Sequence, residues 1–235
     1  MDSYDLLFGG GRWWIPLSEG ALTTVTIAAS GFVLGAIFGS ALALMRLGGN
    51  AVARRLADIY TTTLRGIPDL LVIYLLYFGG SGALGLIGGF FGATGFIGIP
   101  TFATGALALG VVSAAYQAEV FRGAFKAIAR GELEAGRACG MSGPAMFRRI
   151  VAPQALRFAL PGLGNVWQLI LKETALISVV GLVELMRAAQ VGAGSTRQPF
   201  LFYLSAFVLY LVITSISGRL FARAEAICAR PYRRA

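Results

Sequence analysis

An uncharged apolar run from Ala21 to Leu44 constrains the fold more than any other feature of this chain. The run is longer than the about 20 residues that an α-helix needs to cross the hydrocarbon core of a bilayer. A spanning segment must satisfy its own backbone polar groups, which a helix does. The composition agrees, because 57% of the 235 residues are hydrophobic and only 13% are charged, whereas soluble domains have about 25% charged residues. The sequence therefore predicts an all-α membrane protein.

Four more apolar stretches extend this prediction to five transmembrane helices. The predicted spans are 21–44, 56–78, 101–120, 160–182 and 200–220. The Gly-rich connection 79–100 is left without an assigned structure. Within the first span, Gly31, Gly35 and Gly39 recur every four residues and share one helix face, where a neighbouring helix could approach closely. Glycine is also common in membrane helices, so an incidental role stays open.

The basic residues predict the orientation. With a periplasmic N-terminus, fifteen Lys and Arg fall in inner segments and three in outer segments. The inner residues are Arg46, Arg54, Arg55, Arg122, Lys126, Arg130, Arg137, Arg148, Arg149, Arg157, Arg219, Arg223, Arg230, Arg233 and Arg234, and the outer ones are Arg12, Arg187 and Arg197. The positive-inside rule then places the C-terminus in the cytoplasm. Topology thus explains the net charge of +9 better than a nucleic-acid partner does.

The termini and the cysteines complete the outline of the chain. Residues 1–19 are predicted to be a periplasmic segment, 20–222 a transmembrane domain and 223–235 a basic cytoplasmic tail. The N-terminus lacks the basic region of a cleaved signal peptide, so the first span is expected to be retained. Cys139 and Cys228 have no disulfide or metal spacing and there is no His, so no metal site is predicted.

Polar side chains inside the predicted spans are candidates for function. Such groups are costly in a membrane and usually face a partner or a water-filled cavity. The residues concerned are Arg65, Asp69, Glu119, Asn165, Gln168, Lys172 and Glu173. Pro68 predicts a kink in the second span, and Pro161 with Gly162 and Gly164 predicts a break at the start of the fourth.

Two interpretations of these groups compete. In the first, Arg65 pairs with Asp69 or Glu119 only to hold helices together. In the second, the cations bind a substrate carboxylate and the acids bind an ammonium or guanidinium group. The second is favoured for Arg65 and Glu119, and both stay open for Lys172 and Glu173. Near an outer helix end, Glu184 and Arg187 are expected to be solvated or to contact an external partner.

The segment from Glu134 to Pro153 is a basic loop with a helical pattern. Gly140 and Gly143-Pro144 interrupt it, and a second short helix, 145–150, is expected to stop at Pro153. The segment reads Glu134-Ala135-Gly136, three residues, Gly140, nine residues, Ile150, two residues and Pro153. This spacing resembles the EAA loop of ABC importer permeases. Gly136 and Ala152 depart from the family pattern, in which Ala and Leu are usual, and an ordinary amphipathic loop helix is the alternative.

Three other stretches resemble the polar amino-acid branch of these permeases. They are 61–69 (TTTLRGIPD), 118–124 (AEVFRGA) and 171–181 (LKETALISVVG). The resemblance covers most of the chain and implies a type I ABC importer permease fold, with a coupling helix in the loop 132–153. It implies import of histidine, arginine, lysine, ornithine or related opines. The Arg65-Gly66-Ile67-Pro68-Asp69 form is similar to the histidine/basic amino-acid or opine branch.

The resemblance also implies sites and partners. Substrate contacts map to Thr62, Arg65, Glu119, Asn165 and Gln168, and ATPase coupling maps to Glu134, Ala135, Arg137, Gly140 and Met141. The implied partners are a homologous permease subunit in a homo- or heterodimer, two cytoplasmic ATPase subunits that bind ATP and Mg²⁺, and a periplasmic substrate-binding protein. Inner-membrane lipid surrounds the spans, and the amino acid crosses between them.

The sequence has no Walker A motif, so this subunit is not expected to be an enzyme and a partner must hydrolyse ATP. An ion-driven secondary transporter or channel subunit is the main alternative, although no convincing internal repeat supports it. A membrane-embedded enzyme is a third possibility, which the lack of His and of a nucleophile–base pair disfavours. The particular amino acid and the identity of the second permease subunit stay open.

Overall fold

The computed structural model describes residues 7, 12–80 and 100–229, which form helices and turns without a strand among them. The elements are α1 (Trp14–Gly48), α2 (Ala51–Gly66), α3 (Asp69–Tyr74) with a π-helical turn (Leu75–Gly79), α4 (Thr101–Lys126), α5 (Arg130–Ala138), α6 (Gly143–Met146), a second π-helical turn (Phe147–Val151), α7 (Ala152–Ile177), a 3-10 turn (Ser178–Val180), α8 (Leu185–Thr196) and α9 (Pro199–Ala229). The all-α prediction is confirmed. Most of the predicted N-terminal segment and of the connection 79–100, and Arg230, Arg233 and Arg234 of the tail, lie outside the described residues.

Within the described part of the chain, three helices are long and apolar enough to cross a membrane. These are α1, α4 and α9, and α2 with α3 makes a fourth candidate that is bent by 110°. The helix at the predicted fourth span, α7, carries Arg157 near its start and Lys172 and Glu173 near its end, and it is not among these candidates. The number of five spans therefore stays a prediction.

Helix α4 lies at the centre of the bundle, against α1, α2, α3 and α7. Ile27 of α1, Leu109 of α4 and Ile170 of α7 meet in its main hydrophobic core. By contrast, α9 buries few residues and exposes a long apolar surface. A helix that is apolar on its exposed face suits contact with lipid. The central position of α4 makes it the element that the functional groups surround.

The glycine repeat of α1 forms the contact surface for α4, as the periodicity predicted. A Cβ atom on Gly31 would meet Leu109, and one on Gly39 would lie 3.0 Å from the backbone oxygen of Ala114. Gly35 lies against Ser113 in the same way. Small residues allow two helix backbones to approach closely, which is how membrane helices gain contact area. The prediction of a packing role is confirmed.

Prolines interrupt the helices at one of the three predicted positions. Pro68 separates α2 from α3, which confirms the predicted kink. The predicted stop at Pro153 is wrong, because α6, the π-helical turn and α7 follow one another without a gap. Pro153 lies in the first turn of α7, directly after the π-helical turn. The predicted break at Pro161 is also wrong, since α7 continues through it and packs tightly on α4 at Gly162.

Glu184 is buried, so the expectation that it is solvated or meets an external partner is wrong. Its carboxylate caps the N-terminus of α8 by accepting hydrogen bonds from the backbone N–H of Arg187 at 2.8 Å and of Met186 at 2.9 Å. The hydroxyls of Tyr210 and Thr24 donate to it at 3.0 and 3.4 Å. Glu184 thereby joins α8 to α1 and α9. The side chain of Arg187 is exposed.

Candidate functional site

The break between α2 and α3 places two opposite charges at neighbouring helix ends. Arg65 lies in the last turn of α2, and Asp69 lies in the first turn of α3. Each charge has the sign that the dipole of its own helix favours. Pro68, with φ −60° and ψ 130°, turns the chain out of helical geometry between them. Arg65 and Asp69 therefore do not share one continuous helix face, because the helix does not continue.

Four side chains gather at this break and are called the hinge cluster: Arg65, Asp69, Tyr116 and Glu173. The Arg65 guanidinium carbon lies 5.6 Å from the ring centroid of Tyr116, in cation–π range. Asp69 is close enough to Tyr116 and to Glu173 to interact with both electrostatically. The cluster thus draws on α2, α3, α4 and α7, and it combines one cation with two acids.

Glu173 is the most unusual member of the hinge cluster. It is only 6% exposed, and neither carboxylate oxygen has a hydrogen-bond partner in the described part of the chain. A buried carboxylate is stable only when it is paired or protonated, because removing a bare charge from water is costly. The charged group nearest in the cluster, Asp69, is another acid. A cation that enters the cluster would therefore find two neighbouring acids, and the basic side chains that interact with this group are Arg65 and Lys172.

Glu119 is held in an ion-pair network at the point where α1, α2 and α4 meet. Arg46 binds one of its oxygens, and Arg122 binds the other at 2.6 Å. Arg46 also reaches Asp58 at 2.6 Å, while the Arg65 guanidinium lies 3.7 Å from Glu119. Both oxygens of Glu119 are occupied. A substrate cation would therefore compete with these arginines for Glu119.

The five predicted substrate residues are only partly brought together. Arg65 and Glu119 meet in the ion-pair network. Gln168 donates a hydrogen bond at 3.3 Å to the backbone oxygen of Thr214 on α9, so its amide joins two helices. The side chains of Thr62 and Asn165 are exposed on α2 and α7.

Sequence reasoning left three members of the hinge cluster out of the predicted site. Asp69 and Glu173 carried a signal, since both are ionisable groups within predicted spans. Tyr116 carried none, because a tyrosine in a membrane helix is ordinary. The meeting of Asp69 with Glu173 joins residues that are far apart in the chain, and no local pattern indicates it.

The predicted coupling loop forms a short exposed helix, α5, which ends at Ala138 and is followed by a turn at Gly140. Gly140 has φ +73°, a left-handed conformation that favours glycine after a helix end. The backbone N–H of Met141 donates to the oxygen of Gly136 at 3.1 Å and closes the turn. Gly136 is buried, and an added Cβ there would lie 3.0 Å from the flexible end of Ile150. The side chains of Glu134 and its neighbours Ala135 and Arg137 are exposed on the helix surface.

Comparison with known proteins agrees with this arrangement of helices and loop. The family model described as "Binding-protein-dependent transport system inner membrane component" matches residues 20–226. The chain belongs to this family. The permease is 56% identical over 226 residues, 96% of its length and 95% of the other's, to the octopine transport system permease protein OccQ of Agrobacterium tumefaciens (strain Ach5).

Two further comparisons extend the likeness. The permease is 41% identical to the histidine/lysine/arginine/ornithine transport system permease protein HisQ of Escherichia coli (strain K12), over 200 residues that cover 85% of this chain and 87% of HisQ. A crystal structure of an amino acid ABC transporter with histidines matches with a TM-score of 0.80 at 28% identity, covering 96% of this chain and 98% of that one. The type I ABC permease fold is confirmed.

Membership of this family has direct consequences for the permease. It is a multi-pass protein of the inner membrane and works with a separate ATPase and a substrate-binding protein. The ATPase activity of such a system belongs to the separate subunit. The alternatives of an ion-driven transporter and of a channel subunit are set aside, because the family match covers most of the chain.

Proposed function

We propose that this permease imports basic amino acids or opines, and that the substrate passes the hinge cluster. In this function Asp69 and Glu173 bind the guanidinium or ammonium group, and Arg65 binds a carboxylate. Opposite charges with hydrogen-bonding geometry favour this pairing in a site shielded from water. The names of OccQ and HisQ support this substrate class, since octopine is a derivative of arginine.

The observation that carries the proposal is the buried Glu173 carboxylate without a hydrogen-bond partner in the described residues. A buried acid is stable when it is protonated or paired with a cation, and in our proposal the bound substrate supplies that cation. The break at Pro68 supports the assignment. Broken helices in transporters lie where the backbone lines a binding cavity.

The residues indicated by the family resemblance extend this path in our proposal. Thr62 and Asn165 are exposed and available to a moving substrate. Gln168 lies about one helical turn before Lys172 on α7. In our proposal it contributes mainly by joining α7 to α9. Glu119 borders the cluster through Arg65, and its contribution is to hold that arginine.

The complete importer that we propose contains a homologous permease subunit, identical or not, and two ATPase subunits that bind ATP and Mg²⁺ in the cytoplasm. The exposed face of α5, with Glu134, Ala135 and Arg137, contacts the ATPase, and Gly140 and Met141 shape the end of this contact. A periplasmic binding protein delivers the amino acid. In this proposal residues 1–19 lie in the periplasm, residues 20–222 form the transmembrane domain, and the tail 223–235 lies in the cytoplasm.

Transport in this proposal follows alternating access. Closure of the ATPase dimer pushes α5, the helices rock about the hinge cluster, and access changes from the periplasm to the cytoplasm. The angle between α2 and α3 can change at Pro68 without breaking a main-chain hydrogen bond there, because Pro68 has no N–H.

The test uses the permease assembled with its ATPase and binding protein in proteoliposomes. Glu173→Gln keeps the shape of the side chain and removes its charge. We expect the apparent affinity for arginine to fall about tenfold, as for the loss of a charged hydrogen bond, while uptake of glutamine is retained. Glu19→Gln is the matched control, because Glu19 is an exposed acid on α1. Equal losses for arginine and glutamine, or no loss, would contradict the proposed role.

A further inference from the structure

A side-chain hydrogen bond joins the coupling helix α5 directly to the first turn of α7. Gln154 donates through Nε2 to Oε2 of Glu132. Gln154 is 5% exposed and follows Pro153 at the start of α7, while Glu132 lies in the first turn of α5. A hydrogen bond to a carboxylate is stronger than one between neutral groups. The contact therefore joins α5 to α7 through two residues that are 22 positions apart in the sequence.

The covalent route between the same two elements is easily deformed. It passes the left-handed turn at Gly140, the four-residue helix α6 and the π-helical turn Phe147–Val151. Helix α6 and the π-helical turn lead into α7 without a gap, so the deformable part of this route is the loop 139–142 between α5 and α6. A displacement of α5 would partly be absorbed along this route before it reached α7. The hydrogen bond from Gln154 to Glu132 avoids that loss.

Helix α7 connects Gln154 to the hinge cluster as one element. It runs from Ala152 to Ile177 without a break. Glu173 follows Gln154 by 19 residues, which is about 28 Å along an α-helix. The helix is continuous through Pro161, so a movement at its first turn can reach the level of the buried carboxylate.

We propose that Gln154 is a positioning residue for energy coupling. Its hydrogen bond to Glu132 makes α5 and α7 move together, so that a displacement of the coupling helix by the ATPase reaches Glu173. This inference rests on the proposed function, since it requires an ATP-driven importer. Gln154 acts through Glu132 and α7 and touches neither the substrate nor the nucleotide.

The experiment measures substrate transported per ATP hydrolysed by the complete complex in proteoliposomes. Gln154→Glu sets a second carboxylate against Glu132, and the two acids repel. We expect the transport-to-hydrolysis ratio to fall about tenfold, the effect of losing one charged hydrogen bond. Glu132→Gln alone keeps an oxygen that accepts from Gln154 but loses the charge, so the ratio of this variant should lie between those of the wild type and Gln154→Glu.

A double variant in which the two side chains are exchanged tests whether the hydrogen bond itself is needed for coupling. The double variant Glu132→Gln with Gln154→Glu restores an amide opposite a carboxylate, so it should regain the wild-type ratio. A purely structural role would lower transport and hydrolysis together through loss of assembled complex and would leave their ratio unchanged. The proposal is overturned if the exchanged pair fails to regain the ratio, whether or not Gln154→Glu assembles alone. Absence of ATP-dependent uptake in the wild type would instead refute the proposed function.

Discussion

Glu119 is a single carboxylate that interacts with three arginines. Its carboxylate binds Arg46 and Arg122 and lies 3.7 Å from Arg65, so it neutralises cations from three helices. An arginine in a partly buried site without a counter-charge loses both a hydrogen bond and a favourable Coulomb interaction. The structure favours the helix-pairing interpretation for Glu119, and binding of substrate by this residue stays a prediction.

Glu119→Gln distinguishes the two roles. We expect the free energy of unfolding to fall by about 2 kcal/mol, as for the loss of charged hydrogen bonds, with preference for arginine over glutamine retained. The unfolding midpoint in detergent and the two uptake rates measure these effects. Asp58→Asn is the comparison and should cost less, because Asp58 is 46% exposed and binds Arg46 alone. A selective loss of arginine uptake would place Glu119 in substrate recognition.

At the scale of helices, the contact between α1 and α4 depends on the absence of side chains. Gly31, Gly35 and Gly39 lie directly against α4, and an added Cβ on Gly35 would come within 2.9 Å of Gln117 Nε2. That amide already donates to the backbone oxygen of Phe32 at 2.9 Å. The close approach therefore supports a hydrogen bond between the two helices as well as their packing.

Gly35→Ala should weaken this contact. We expect a loss of about 1–3 kcal/mol of unfolding free energy, the usual cost of overpacking, visible as a lower unfolding midpoint. Gly48→Ala is the matched control in the same helix, since no atom lies within 4 Å of its added Cβ. It should leave the midpoint unchanged or raise it, because Ala is a better helix former than Gly. Equal midpoints for the two variants would show that the glycine face is incidental.

The helices were predictable in different degrees, for physical reasons. The glycine face of α1 follows from periodicity, which is local and survives folding. The effects of Pro68 and Pro161 differ although the residue type is the same. Pro68 is at the junction of two helices that diverge, whereas Pro161 lies in a helix that packs on α4 on both sides of it. Whether a proline breaks a helix depends on that packing, which is a tertiary property.

The orientation of the whole molecule can be tested with its own cysteines. The sequence contains two, and Cys139 is exposed within the predicted coupling loop. In a Cys228→Ser protein, a membrane-impermeant maleimide should label Cys139 in inside-out vesicles and leave it unlabelled in right-side-out vesicles. Addition of the ATPase subunits should slow the labelling, since α5 is their proposed contact. Labelling from the periplasmic side would overturn the proposed orientation and the role of α5 together.

The whole molecule also explains why the substrate site was only partly predicted. Arg65 was identified because charge at membrane depth is conspicuous in any sequence. Glu119 was predicted as a possible partner of Arg65, and the structure places the two 3.7 Å apart. Tyr116 was not predicted, because it reaches Arg65 from a helix that is distant in the chain. Glu184 was misplaced for the same reason, since its hydroxyl partners come from α1 and α9.

The sequence by itself determined the class of the protein, its helical character, the glycine face of α1 and the short helix in the basic loop between α4 and α7. These depend on hydrophobicity, spacing and charge along the chain, and those properties are the same before and after folding. Only the tertiary structure decided which acids are paired, with Glu119 between arginines and Glu173 without a hydrogen-bond partner in the described residues. Pairing depends on distances of a few ångströms between different helices, and these distances exist only once the helices have packed.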